Sequence, residues 1–304
     1  MMMHRRQLGL GIAGLAIFLS GLTWLLAASA GRALWHDEAF GILASVFGVS
    51  WRQLWWEGAP GQGSPHPLYY VWEKAALELW ALAPQRYWNL FFYFRLTPIF
   101  FYALTGTAVF FGAYRALAQL LNPAAHALRA FVAAAFAFFF FRVQFAEYYA
   151  LEARPYSLWL FLSTVHFFLT ISLVLRGEVA PRHKAVYAFA SALLCLVASP
   201  GLFQVALSFL AIAFPRRLLR DGWMVLPSVL IAAFYARDVG KSGYDTGDFL
   251  YYLQCLKEVA YKSFHARSGW VFFPIFFVGA GKILRCPDRN LRARFGGYVD
   301  NLIS

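Results

Sequence analysis

The chain is dominated by apolar runs too long for a soluble helix or strand. Nearly charge-free stretches lie at about 8 to 30, 89 to 114, 124 to 146, 155 to 175, 185 to 199, 201 to 215, 222 to 236 and 268 to 284. A helix needs about 20 residues to cross roughly 30 Å of hydrocarbon, so the pattern predicts an all-α integral membrane protein with about eight transmembrane helices. The first run follows His4, Arg5 and Arg6 and ends in Ala28-Ser29-Ala30, the outline of a secretory signal. Its apolar part exceeds the roughly 7 to 15 residues of a signal core, and further runs follow, so it is expected to remain as the first helix. Ala185 to Pro215 would make a single helix of about 46 Å, but Ser199-Pro200-Gly201 interrupts it. That segment is expected to cross twice, as a short hairpin turning near the outer face.

Two longer segments separate the runs, about 31 to 88 and 237 to 267. The first holds an amphipathic stretch from Glu38 to Phe47, with Phe40, Ile42, Leu43 and Phe47 apolar, and another from Pro67 to Leu82 rich in Leu, Tyr and Trp. Between them, Trp51, Trp55 and Trp56 precede the breaker-rich Gly58-Ala59-Pro60-Gly61-Gln62-Gly63-Ser64-Pro65. Such a density of Trp belongs at a membrane–water interface, which predicts two interfacial helices in the first outer loop. An interfacial collar without chemistry would have the same composition. No internal repeat appears, and the expected organisation is a transmembrane module over 1–236 followed, over 237–304, by an outer loop, an eighth span and a basic cytoplasmic tail.

Composition narrows the class further. With 61% hydrophobic and 14% charged residues and a mean hydropathy of +0.54, the chain is neither an ordinary soluble domain nor a disordered one. Its three cysteines, Cys195, Cys255 and Cys286, form no regularly spaced set, which argues against a disulfide framework. The net charge of +12 would suggest nucleic acid in a soluble protein, but here it sorts by side of the membrane. With both termini cytoplasmic, 15 cations and only four acids fall inside, against 12 cations and 11 acids spread over the longer outer segments. Basic density on the cytoplasmic side is what the positive-inside rule requires, so no nucleic-acid partner is inferred.

Three polar clusters fall on the outer side of this layout. Asp37-Glu38 follows the first span; acids so close to hydrocarbon are costly unless they serve a site or cap a helix. Asp37 suits an N-cap, with Glu38 in the first turn, as well as it suits a site. Ser64-Pro65-His66-Pro67-Leu68-Tyr69-Tyr70 restricts the backbone around a histidine and starts a helix. Glu147-Tyr148-Tyr149-Ala150-Leu151-Glu152-Ala153-Arg154-Pro155-Tyr156 places two acids and an arginine between two spans, where Glu152 and Arg154 could simply neutralise each other.

Taken in order, Asp37-Glu38, His66-Pro67-Leu68-Tyr69-Tyr70, Arg95-Leu96 and Glu152-Ala153-Arg154-Pro155-Tyr156-Ser157-Leu158 resemble the signature of GT-C glycosyltransferases. They are similar to the protein mannosyltransferase and aminoarabinose transferase group and its bacterial RgtA/B/C/D-like relatives, over roughly residues 1 to 215. The resemblance implies a polyprenyl-phosphate sugar donor, a lipid, glycan or protein acceptor approached from the outer face, inversion at the anomeric carbon, and a multi-pass place in the plasma (inner) membrane among its lipids. The chain departs from the pattern where one Pro follows His66 and where Ser199-Pro200-Gly201 stands in place of a common histidine. Many members also continue beyond the point where this chain stops at Ser304, so it is either a short member or a piece of a longer one.

The residue types suit that chemistry independently. Moving a sugar from phosphate to a hydroxyl needs a carboxylate to take the acceptor proton and cations to hold the departing phosphate. Asp37 is the expected base and Arg154 the first phosphate partner. Lys74 is a further cationic candidate, alongside Arg237, Lys262 and Arg267, while Glu38, His66, Glu152 and Tyr156 are expected to shape the donor or acceptor pocket. No cofactor is implied with certainty; a divalent metal, if one is used, would have to sit on Asp37, Glu38 or the other outer acids. Gly240-Lys241-Ser242 lacks the earlier glycine of a phosphate loop, with Tyr235 in its place. Asp245 and Asp248 miss the Asp-x-Asp spacing, and no His or Cys cluster has zinc spacing. The alternative class is a transporter or lipid-handling protein without catalysis, which would place functional polar groups near midspan rather than on one face.

Overall fold

The computed structural model describes residues 2–29, 38, 42, 46–56, 67–81, 90–121, 125–143, 148, 150–176, 180–198, 200–213 and 218–236. The chain divides into two units, Met1–Tyr244 and Asp245–Ser304, of which the second lies wholly outside the described residues, together with the expected span at 268–284. Every described residue with regular structure is helical. The helices are α1 (Met2–Ser29), α2 (Trp51–Trp56), α3 (Leu68–Ala81), α4 (Leu90–Leu120), α5 (His126–Phe141), α6 (Tyr156–Arg176), α7 (Pro181–Val197), α8 (Pro200–Ala213) and α9 (Leu226–Ala236). A short helical turn, Leu218–Asp221, and a 3-10 turn, Gly222–Met224, lead into α9.

Proline sets many of the helix starts. It supplies a helical φ and has no N–H to leave unsatisfied in the first turn. Pro181 and Pro200 open α7 and α8, while Pro67 and Pro155 stand immediately before α3 and α6, their carbonyls accepting from Val71 N–H at 2.8 Å and Trp159 N–H at 2.9 Å. Helix α2 starts differently, with a capping box: Gln53 N–H donates to Ser50 Oγ at 3.2 Å while Ser50 N–H donates to Gln53 Oε1 at 3.0 Å.

Three helices are long and apolar enough to cross a membrane, Gln7–Ser29 in α1, Phe94–Gln119 in α4 and Tyr156–Leu175 in α6, and they mark a multi-pass membrane protein. Their outward faces belong in lipid. Leu8, Ile12, Leu15 and Leu19 form one exposed stripe on α1, with Phe131 and Phe138 exposed on α5 and Phe203 and Leu207 on α8. Phe203 is 73% exposed, a placement that water would penalise and hydrocarbon would not. The other expected spans correspond to shorter helices. At 16 residues, α5 reaches about 24 Å; α7, α8 and α9 have 17, 14 and 11 residues.

Contacts fix the helix directions. Gly14 of α1 meets Phe111 of α4 and Phe18 meets Phe100, so those two helices are antiparallel. Phe101 on Phe161 and Gly112 on Phe168 make α4 and α6 parallel. Leu173 of α6 clusters with Tyr187 and Ala188 of α7, while Leu158 and Leu162 cluster with Leu194 and Cys195, which makes those two antiparallel, with His166 on Tyr187 at 4.7 Å between ring centroids in the middle. The Phe141 ring of α5 is clasped between Gly21 and Gly106, where any Cβ would strike it. Polar side chains inside the bundle are turned back on their own helices: Thr105, Thr170 and Ser191 donate to Phe101 O, His166 O and Tyr187 O, each at 2.8 Å.

The expected hairpin at Ser199-Pro200-Gly201 is present as the break between α7 and α8, with Gly201 N–H donating to Ala198 O at 3.0 Å. The expected helix from Pro67 to Leu82 is present as α3, Leu82 lying outside the described residues. In the other, Glu38 and Ile42 are helical and Val46 and Phe47 form a wider π-type turn, the intervening residues lying outside the described set.

Candidate functional site

The ends of α1, α3, α4 and α6 bring distant segments together. The Glu38 carboxylate, 1% exposed, is the centre of this meeting. Its Oε1 accepts the backbone N–H of Ala153 at 2.6 Å, and its Oε2 lies 3.4 Å from the Arg95 guanidinium. Arg95 is the sixth residue of α4, after five apolar ones, and its charge rests on a buried carboxylate. A desolvated pair of this kind holds when its remaining lone pairs are hydrogen-bonded, and the Ala153 amide meets that need for Glu38. The irregular backbone of Leu151–Pro155 is thereby pinned between two helices, with Arg154 N–H closing a tight turn on Glu152 O at 2.8 Å.

Arg154 is half-buried. Its Nη1 donates to Tyr156 Oη at 3.3 Å, and its guanidinium stands 5.9 Å from the centroid of that ring. Helix α3 presents Tyr69, Tyr70 and Glu73 to the same region, all buried on one face through i, i+3 and i+4 spacing. Arg154 and Tyr156 act on the Tyr70 hydroxyl, and Glu38 acts on that of Tyr69. Burial drives both phenols well above their usual range.

Sequence reasoning did not single out Glu73. It is fully buried on α3, outside the three candidate spans, and desolvation pushes its carboxyl up to about 8. Tyr69 and Thr97 flank it and favour the charged form, but neither carboxylate oxygen is reached at hydrogen-bonding distance and angle. Desolvation is the larger effect, so Glu73 is mostly neutral at pH 7. Because this shift is upward, its contribution to folding is fully present below the ordinary glutamate range and is lost as the pH rises through about 8.

Of the residues singled out from the sequence, Glu38, Glu152, Arg154 and Tyr156 therefore lie in or beside one constellation. Lys74 points elsewhere on α3: it donates to Val46 O at 3.3 Å, pairs with Glu78 at 3.5 Å and lies 5.6 Å from the Trp51 ring centroid. Asp37 and His66 lie outside the described residues. No group of three metal-binding side chains occurs among the described residues.

Next to Trp51, an open apolar groove of about 540 Å³ runs between α2 and α9, walled by Trp51, Trp55, Trp56, Leu230, Ile231 and Phe234, with Arg52 also lining it. Deeper in the bundle, His166 Nε2 and Ser191 Oγ are 3.0 Å apart, and Gln204 donates to Ser163 O at 2.9 Å, a hydrogen-bonded cluster joining α6, α7 and α8. Compared with protein families, curated proteins and solved structures, the chain matches none.

Proposed function

We propose that the protein is a membrane glycosyltransferase of the GT-C type. It moves a sugar from a polyprenyl-phosphate donor to an acceptor hydroxyl at the outer face of the plasma membrane, with inversion. In this reading the chain carries about eight spans, 1–236 form the catalytic module, and the acceptor is a lipid, glycan or protein. Asp37 takes the acceptor proton as the hydroxyl oxygen attacks the anomeric carbon; the bond from that carbon to the phosphate oxygen breaks, and Arg154 holds the departing phosphate. Glu38, Glu152, Tyr156 and His66 shape the pocket, with Lys74 as a second cation.

The observation that carries the reading is the contact of Glu38 with both Arg95 and Ala153: three segments far apart in sequence, each part of the ordered motif set, share one buried polar junction. The apolar groove walled by Trp51, Trp55 and Trp56 suits a prenyl chain held at the interface. The transporter reading draws on the buried His166–Ser191–Gln204 cluster at midspan of α6. That cluster is hydrogen-bonded internally, as helix-to-helix glue would be.

The test is turnover with a polyprenyl-phosphate sugar, measured per folded molecule in purified membranes. Asp37→Asn is expected to keep donor binding and lose about 10² or more in rate, and Arg154→Ala to weaken donor binding as well. Parental turnover by folded Asp37→Asn would end the catalytic assignment, and transport of a lipid-linked sugar without its consumption would favour the alternative.

A further inference from the structure

Helix α3 packs mainly against α2 and α7 and meets α4 through few side chains, Trp72 against Phe101, with ring centroids 5.4 Å apart, and Glu73 beside Thr97. A bare carboxyl in that contact has consequences, because a neutral acid is tolerated there and an anion is not. The polar groups around it are few. Tyr69 and Tyr70 lie on its own helix, and Lys74 is turned towards Val46 and Glu78. Helix α4 brings Thr97 and Arg95, the latter held by Glu38. Arg154 and Tyr156 lie beyond Tyr70, and α7 brings Cys195, which faces Ser228. None of these groups gives either Glu73 oxygen a hydrogen bond.

We propose that Glu73 is a positioning residue of the outer-face site: its neutral carboxyl lets α3 dock on α4 and so keeps Tyr70 against Arg154, and loss of its proton loosens that docking. The inference deepens the reading of Arg154 as the phosphate holder and rests on it for its binding consequence. Anion binding at Arg154 then has an upper pH limit set by a residue that never touches the ligand. Docked, Glu73 keeps its proton up to about pH 8, whereas undocked it ionises in the ordinary glutamate range, so the ratio of docked to undocked α3 falls by up to about tenfold per pH unit between those values and levels off above about 8. Arg154 keeps its charge throughout this range, both tyrosines titrate well above it, and a phosphate monoester, with its second ionisation near 6, changes little above about pH 7. The alkaline limb therefore isolates Glu73.

Two measurements on the full chain in detergent micelles test this between pH 6.5 and 9.5, a window set about the usual operating range of a raised carboxyl. The first is binding of a polyprenyl phosphate. The parent is expected to lose affinity by up to about tenfold per pH unit as the pH rises towards about 8 and to level off above it, while Glu73→Gln keeps its affinity on the alkaline side. The second is amide hydrogen exchange in α3, compared between parent and Glu73→Gln at each pH. Protection in the parent is expected to fall selectively on the alkaline side. Glu73→Leu, which also cannot ionise, serves as the second variant should the Gln protein fold poorly. An alkaline loss of α3 protection as large in both non-ionising variants as in the parent would overturn the proposal. If protection behaves as expected but no protein binds polyprenyl phosphate at any pH, the phosphate reading of Arg154 fails while the positioning role of Glu73 stands.

Discussion

Glu38 shows how one side chain can tie a loop to two helices. Its carboxylate spends one oxygen on the Ala153 amide and the other on Arg95, so removing its charge leaves a buried guanidinium without its counter-ion. Glu38→Gln keeps an oxygen for Ala153 but not the charge, and is expected to cost about 3 to 5 kcal/mol. Adding Arg95→Gln should recover much of that loss, because the double variant buries no uncompensated charge. Thermal unfolding of the four proteins in detergent checks this; strictly additive losses would mean that the pair is not coupled. Part of this site was legible in the sequence because acids and arginines stand out against apolar runs, which singled out Glu38, Arg95, Glu152 and Arg154. The partner relations were not legible, since nothing local links Glu38 to an amide 115 residues away. Glu73 was passed over because a charge on an interfacial helix reads as solvated. The signal that would have found it is its place one turn after Tyr69 and Tyr70 on the apolar face of α3.

At the scale of elements, the α7–α8 hairpin depends on how closely its arms approach. A Cβ on Gly201 would lie 2.6 Å from the Leu194 carbonyl oxygen, which belongs to the backbone and has nowhere to go, whereas Gly9 and Gly11 on α1 face open space. Gly201→Ala is accordingly expected to cost about 1 to 3 kcal/mol, while Gly9→Ala should gain a few tenths or more from helix propensity, roughly 0.5 to 1 kcal/mol at most. Melting temperatures in one detergent compare them, and an unchanged Gly201→Ala protein would show that the turn relaxes freely. The hairpin itself was legible, as were α1, α4 and α6, because proline-marked breaks and hydrocarbon-length runs are written directly in residue order. Helix lengths were less so. Hydropathy extended the third span over 124 to 146, but the helix ends at Phe141, where the Arg142 and Val143 N–H groups turn back to the Phe139 and Phe140 carbonyls. Helix α2 was missed for the opposite reason: its three tryptophans suggested interface chemistry and hid the Ser50-to-Gln53 capping box that starts it.

Across the whole molecule, charge and contact give the same arrangement of ends. Lys184 at the start of α7 pairs with the buried Asp221 at 2.6 Å, and Arg129 at the start of α5 lies over Tyr114 near the end of α4, 5.4 Å from its ring centroid. Both contacts join residues that the positive-inside rule assigns to the cytoplasm. The Glu38, Arg95 and Ala153 junction joins the opposite ends of α4 and α6, and the α2 tryptophans meet α9 through Trp56 on Phe234 at 5.6 Å. A bundle whose helices alternate in direction thus separates one basic end from one aromatic end, and the aromatic end carries the candidate site. That separation yields a test independent of any enzyme assay. In a chain whose three cysteines are replaced by serine, single cysteines at Gln53, exposed on α2, and at Gln119, exposed near the far end of α4, should react with a membrane-impermeant maleimide from opposite sides. Gln53 is expected to label in intact cells and Gln119 only after permeabilisation. Labelling of Gln119 from outside would invert the bundle, placing Arg154 and the Glu38–Arg95 junction on the cytoplasmic side, against the proposed outer-face reading.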